Sequence, residues 1–128
     1  GQKIALAGVE NWGTGRFPKY GKINEALEGV DNEMFTVLLS HDPDHWKEQV
    51  RHLDNPIDLT LSGHTHGAQF GVPIPGGVWS PASWRYDFWK GLYKQDQIRH
   101  LYVNTGFGFL GYPGRINMAP EITLFELG

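Results

Sequence analysis

The sequence predicts a layered α/β fold, and two observations carry this prediction. Three short apolar stretches at residues 3–9, 34–40 and 57–62 have the composition of buried strands. Stretches with helical periodicity separate them, at residues 22–30 and 44–53. An order of β, α, β, α, β is typical of a sheet that is covered by helices.

The first strand and helix are separated by a loop. Residues 3–9 form an apolar strand, and the glycines and the proline of residues 10–21 indicate a loop. Residues 22–30 then predict a short helix, which Gly29 weakens near its end. Residues 31–33 form a turn before the second strand.

A short turn leads from the second strand into the second helix. Pro43 is expected to interrupt the chain, and Asp44 is expected to cap the helix that follows. The inner face of that helix would consist of apolar residues at helical spacing, Trp46, Val50 and Leu53. His45 would then lie on the helix surface.

The second half of the chain contains long Gly- and Pro-rich segments. Residues 68–97 are irregular and aromatic, which is typical of a lid or a binding wall, or of an Ω-like loop packed on its own aromatic side chains. Residues 98–104 alternate like a half-buried strand. A second Gly/Pro-rich loop follows at 105–120, and residues 121–127 predict a last strand.

Length and composition fit one soluble domain over residues 1–128. The net charge of −3 gives no reason to expect nucleic-acid binding. The absence of cysteine excludes disulfides, thiolate zinc ligands and a cysteine nucleophile. No apolar run reaches the roughly 18 residues of a transmembrane helix, so no membrane segment is expected in this chain.

Three histidines follow the second and third predicted strands. His41 comes after residues 34–40, and His64 and His66 stand between glycines after residues 57–62. Because parallel strands share one carboxyl edge, these imidazoles are expected to converge. Imidazole suits zinc, manganese and iron, so the pattern predicts a metal site. A single histidine at a strand end is more often a hydrogen-bonded surface residue, but the repeated pattern disfavours that alternative.

Other polar residues are expected to have supporting roles. A histidine that binds a metal needs its second ring nitrogen fixed, and Ser62, Thr65 and nearby carbonyls are the candidates. His52 and His100 have no motif context and are expected to be structural.

The most distinctive strings are LLSHDPDHW at 38–46 and DLTLSGHTHG at 58–67. Together they resemble the motifs of the calcineurin-like metallophosphoesterases. The early GVENWGTG loop, the glutamine after GHTHG and the ending NTGFGFLGYPGRINMAPEITLFEL are similar to the bacterial YkuE/YaeI-type branch of that family. The resemblance covers nearly the whole chain.

The resemblance implies a role for each histidine. His41 and His64 would bind the second of two metal ions, and His66 would bind the first. The implied activity is hydrolysis of a phosphate ester, in a small molecule or a lipid, with two divalent ions (manganese, zinc or iron) in the intact enzyme. Arg115 and Asn117 would approach the substrate phosphate or form the rim of the site. The alternative for Arg115 is a side chain that braces its loop.

The chain departs from the family pattern in one large respect. The DxH, GD and GNHD motifs, which supply the other ligands and the histidine thought to protonate the leaving group, are absent. We therefore expect the C-terminal half of a catalytic domain, with at most one metal ion and little activity of its own. About half of the family's αββα sandwich would be present, and its bare sheet face would invite a homodimer.

The location and two alternative functions stay open at this stage. Branch members often carry an export signal or membrane segment, which would lie upstream of Gly1, so the location is cytoplasmic or membrane-associated. The three histidines and a water would also suffice for a mononuclear zinc hydrolase, although no general base is evident beside them unless Asp42 serves. Alternatively, the aromatic loop 79–93 would recognise a sugar or lipid headgroup, and the histidines would be incidental. Metal dependence separates the enzymes from the binding module.

Overall fold

A five-stranded sheet organises residues 3–55 and 57–127, which are the residues that the computed structural model describes. The strands in chain order are β1 (Ile4–Gly8), β2 (Phe35–Leu39), β3 (Leu59–Ser62), β4 (Val72–Ile74), β5 (Gly77–Trp79), β6 (Gly91–Lys94) and β7 (His100–Val103). The sheet has the order β1-β2-β3-β7-β6, and β4 and β5 form a separate hairpin. Neighbouring strands run parallel except β6, which is antiparallel to β7. The predicted α/β class is confirmed.

The helices are short. They are α1 (Ile23–Ala26), α2 (Pro43–Glu48), which continues into a 3₁₀ turn at Val50–His52, and α3 (Ala82–Arg85). Helix α2 begins at a proline and α3 directly after one, whereas α1 follows Lys22 without a side-chain cap. The prediction that Asp44 caps α2 was wrong. The Asp42 side chain accepts a hydrogen bond from the Asp44 N–H at 2.9 Å, and Pro43 occupies the first helical position. Proline suits that position because its missing N–H has no helical partner there.

One face of the sheet carries the core. The 3₁₀ turn and both of the first two helices lie on this face, where the packed cluster consists of Ala7, Ile23, Leu38, Trp46, Val50, Ile57, Leu101 and Val103. Trp46 and Val50 therefore point inward as their spacing predicts. In the described ranges, no helix has the length and apolarity needed to cross a bilayer.

The opposite face of the sheet is bare over β1 and β2. Large apolar side chains that alternate with the core residues are exposed there, namely Ile4, Leu6, Phe35 and Leu39. Residues 121–127, predicted as a strand, form none in the structure. The Glu121 carboxylate instead accepts hydrogen bonds from the Tyr102 hydroxyl and from Thr105, and Phe125 packs on the Tyr102 ring. These side-chain contacts hold the segment beside β7 without a backbone ladder.

The aromatic segment 68–97 is more regular than its sequence indicates. It contains the β4–β5 hairpin, α3 and β6. Phe88 lies between the rings of Trp46 and Tyr93, at centroid distances of 5.0 and 4.9 Å. Part of this segment therefore completes the core, which the periodicity of the sequence did not reveal.

His45 is fully buried, contrary to the expectation that it lies on the helix surface. Its ring stacks on Trp12 at a centroid distance of 4.4 Å. The Ser40 Oγ lies 2.7 Å from Nδ1, and Nε2 lies 3.0 Å from the Gln49 Oε1. Both ring nitrogens are thus satisfied inside the fold, with Nε2 donating to the amide oxygen and Nδ1 accepting from the hydroxyl.

Gly71 marks a close approach between two distant parts of the backbone. Its N–H donates to the Ile116 carbonyl at 2.8 Å, and the Ile116 N–H donates to the Gln69 carbonyl at 2.9 Å. A Cβ at position 71 would lie 2.8 Å from the Asn117 carbonyl oxygen and 2.5 Å from a methyl carbon of Val78. Glycine is therefore what allows the C-terminal loop to dock next to the turn after β3.

We expect the free energy of unfolding to fall as the pH drops below about 6.5. Burial lowers the pKa of His45 from 6.5, although its hydrogen bond to Gln49 opposes the shift. As the pH falls, the unfolded chain binds this proton before the folded chain does, so acid favours unfolding until the lowered folded pKa is reached. Urea denaturation between pH 8 and 5 measures the slope. His45→Gln should flatten it, whereas the exposed His52→Gln should not.

Gly71→Ala should destabilise the fold by about 1–3 kcal/mol because the new methyl group overlaps the backbone. Gly77→Ala is the matched control, since no described atom lies within 4 Å of a Cβ there. Its effect should stay within about 0.5 kcal/mol. Thermal or urea unfolding of both variants compares them, and equal stabilities would show that the 69–71 and 116–118 segments are not tightly docked.

Candidate metal site at the carboxyl edge of the sheet

The three predicted histidines lie together at the carboxyl edge of β2 and β3. The Gly63 N–H donates to the His41 carbonyl at 3.0 Å, which extends the pairing of the two strands past their ends. The rings of His41 and His64 then meet edge to face with centroids 5.0 Å apart. His66 follows at the start of a 3₁₀ turn, His66–Gln69.

His64 and His66 both have left-handed backbone conformations, with φ of 66° and 50°. Residues other than glycine rarely adopt this conformation, which costs roughly 1–2 kcal/mol per residue. Such backbone strain is found preferentially at functional sites, where surrounding contacts maintain it. The strained backbone of this turn is therefore typical of a functional site that fixes the directions of the His64 and His66 side chains.

One pocket of about 180 Å³ contains all three imidazoles. It is lined by His41, Gly63, His64, His66, Asn104, Thr105 and Gly106. The last three residues follow β7, so they also come from a strand's carboxyl end. Our sequence interpretation missed them, although the rule that brought the histidines together applies equally to residues after β7.

Burial and charge favour the neutral form of two of the histidines. Partial burial, with the neighbouring His64, lowers the pKa of His41 despite the opposing charge of Asp42. Burial, followed by the charges of Arg115 and His64, lowers the pKa of His66. A neutral imidazole keeps a free lone pair, which is the form that binds metal ions.

The donor atoms fit a metal ion in type, but they do not complete its coordination. Among the described residues, the Nδ1 atom of His66 is buried without a hydrogen-bond partner, as is the Oγ of Ser62. Ser62 and Thr65 thus do not fix the imidazoles as expected, since the Thr65 hydroxyl donates to the Trp89 carbonyl at 2.8 Å. Within residues 3–55 and 57–127, no three His, Asp or Glu side chains are grouped closely enough to hold an ion.

The aromatic segment supports the histidine turn from one side. The Ser80 hydroxyl donates to the Gly67 carbonyl at 2.8 Å, and the Thr65 hydroxyl makes its bond to Trp89 nearby. The Tyr86 ring packs edge to face on His64 at 5.7 Å. The segment thus packs on its own aromatic residues, Trp79 on Trp84 and Phe88 on Tyr93, while the expectation of a lid or binding wall stays a prediction.

Arg115 and Asn117 lie in the C-terminal loop, and Arg115 contacts the pocket residue Thr105. The Arg115 guanidinium donates to the carbonyls of Gly108 at 2.8 Å and Thr105 at 2.7 Å, so it braces this loop. Asn117 is exposed and has a φ of 50°, a conformation that asparagine tolerates better than most residues.

Asp42 is not available as a general base. It is 2% exposed, and its carboxylate caps α2. The mononuclear hydrolase with Asp42 as base is therefore not supported by the geometry.

Curated relatives share the sequence over most of its length. YkuE of Bacillus subtilis, named an uncharacterized metallophosphoesterase, is 35% identical over 127 residues, which are 99% of this chain and 41% of YkuE. A transmembrane protein with a metallophosphoesterase domain from Danio rerio is 36% identical over 124 residues, 94% of this chain and 27% of its own. Phosphodiesterase YaeI of Escherichia coli is 42% identical over 91 residues, 71% of this chain and 32% of YaeI.

No family model and no solved structure matches the chain. The chain spans less than half the length of the three relatives named above. Their names agree with the interpretation of the SHDP and GHTHG strings, and the structure brings those strings to one pocket. The chain belongs to the calcineurin-like metallophosphoesterase family.

Proposed function

We propose that this chain is part of a metal-dependent phosphoester hydrolase and that His41, His64 and His66 bind divalent metal there. The observation that carries the proposal is the pocket that three imidazoles line at the carboxyl edge of parallel strands. The unpartnered Nδ1 of His66 supports it, because a buried ring nitrogen without a partner is costly unless something binds it.

Divalent metal, when bound, would withdraw charge from the phosphate oxygens and make a water molecule acidic enough to attack phosphorus. The residues of this chain hold and shape that centre. The imidazoles would donate their lone pairs, and Gly63 and Gly106 line the pocket without adding a side chain to it. We assign no proton donor among these residues, because the three histidines serve as ligands.

Arg115 is the residue of this chain that we propose to assist the substrate phosphate. Its charge acts on His66, and its guanidinium rests on the loop that begins at the pocket rim. We propose Asn117 for the rim as well, because it follows Arg115 closely in the same exposed loop. Both residues would orient the substrate, whereas the histidines would carry the metal.

The remaining ligands must come from outside this chain if the centre holds two ions. We propose that the rest of a longer protein supplies them and that it packs a second sheet on the bare face of β1 and β2. The exposed Leu6 and Phe35 on that face support this, since an alternating apolar face of this kind needs a covering layer. A second copy of the chain is the alternative cover.

In the full-length protein, His64→Gly should lower manganese-dependent hydrolysis of bis-p-nitrophenyl phosphate by about 100-fold or more. Even residues that only support metal ligands cost about 10- to 100-fold when changed, so loss of a ligand should cost at least as much. Glycine tolerates the left-handed backbone at position 64, so the change removes the imidazole without adding strain. His52→Gly is the control and should leave the rate within about twofold. Equal activity of wild type and His64→Gly would contradict the assignment.

The chain of residues 1–128 by itself should bind at most one metal ion and turn over little substrate. Among the described residues, no three His, Asp or Glu side chains are grouped closely enough to hold an ion, so we expect no two-ion centre in this chain alone. Metal analysis after dialysis against manganese or zinc gives the stoichiometry, and bis-p-nitrophenyl phosphate gives the rate. Two bound ions, or turnover that His66→Gly abolishes, would mean that this chain carries a complete site.

A further inference from the structure

An exposed apolar loop begins at the rim of the histidine pocket. We call residues 106–114 the apolar loop. Its large side chains project into solvent, with exposed fractions of 77% for Phe107, 65% for Phe109, 74% for Leu110 and 57% for Tyr112. Exposed apolar patches of this kind mark surfaces that bind a protein, a ligand or a membrane.

Two polar side chains hold this loop in place from beneath. Gln69, which is 5% exposed, donates to the carbonyls of Tyr112 at 2.7 Å and Gly114 at 2.8 Å, and its Oε1 accepts from the Leu110 N–H. Arg115 donates to the Gly108 carbonyl at 2.8 Å on the same loop. These four backbone groups are thus bonded to the rest of the chain, while the apolar side chains are exposed. The loop conformation is therefore preorganised, and its apolar side chains are exposed before a partner binds.

The charge of the segment that carries the apolar loop favours one kind of partner, although the Glu121 carboxylate bonds to the neighbouring Thr105. Residues 104–118 contain no Asp or Glu, and their one charged side chain is Arg115. Aromatic and aliphatic side chains beside a basic residue match the boundary between the acyl chains and the anionic phosphates of a bilayer. Because Thr105 and Gly106 line the histidine pocket, insertion of the loop would bring lipid phosphates to the level of the imidazoles.

We propose that the apolar loop inserts into the surface of a phospholipid bilayer, so that the site acts on the phosphate ester of a membrane lipid. The second part of this inference rests on the proposed function, whereas insertion does not. Phe107 and Phe109 enter the acyl region, and Tyr112 lies at the headgroup level.

Sedimentation of the metal-free full-length protein with phosphatidylglycerol vesicles tests insertion. Phe107→Ser/Phe109→Ser should lower the partition coefficient by about tenfold or more, because the transfer of the two phenyl rings out of water drives binding. Phe17→Ser is the matched control. Phe17 is 74% exposed in the loop 10–21, and its replacement should leave binding unchanged. Pure phosphatidylcholine vesicles should bind the wild type more weakly, since they lack net negative charge.

Three results would overturn insertion: no binding of the wild type, equal binding of the loop variant, or a melting temperature that falls in the loop variant but not in Phe17→Ser. The last result would mean that the loop packs inside the protein.

The substrate is tested separately, by incubating the wild type and metal with bis-p-nitrophenyl phosphate and with the phosphatidylglycerol vesicles. Hydrolysis of bis-p-nitrophenyl phosphate without release of product from the vesicles would refute the lipid substrate alone. If neither phosphodiester is hydrolysed while the protein still binds vesicles, the proposed function is refuted and the insertion of the loop is not.

Discussion

The alignment of β2, β3 and β7 at their carboxyl ends is the constraint on which the candidate site depends. Backbone hydrogen bonds continue past the strands, from Gly63 N–H to the His41 carbonyl at 3.0 Å and from Asn104 N–H to the Ser62 carbonyl at 2.9 Å. Residues far apart in the sequence therefore line one pocket. The apolar faces of the strands fix the register, since a shift by one residue would turn every core side chain outward.

A second layer of polar contacts holds the helices and loops around that edge. Trp12 stacks on the buried His45 and donates to Glu48 at 3.0 Å. Arg85 donates to the Asp44 carboxylate at 3.0 Å and to the Thr14 hydroxyl at 2.9 Å. These bonds connect the loop 10–21, α2 and α3 through side chains alone. Side-chain hydrogen bonds, and not strand pairing, therefore hold this Gly-rich loop against the helices.

The sequence predicts local patterns well and distant side-chain contacts poorly. Apolar runs located β1, β2 and β3, and the parallel arrangement followed from the helices between them, so the meeting of His41 with His64 was predictable. Burial of His45 was not, because it depends on Trp12 in a distant loop. The brace of Gln69 under the C-terminal loop was equally hidden. Residues 121–127 have the alternation of a strand, but alternation alone supplies no neighbour with which to pair.

The left-handed backbone of the histidine turn also limits how this site can change during evolution. At positions 64 and 66 the conformation favours glycine and asparagine over most other residue types. A histidine lost there to either residue would leave the fold nearly as stable as before, while removing one of the imidazoles. Descendants of such proteins can therefore keep this architecture after their chemistry has disappeared, and the residues at 64 and 66 are the ones to inspect when a new homologue is assigned an activity.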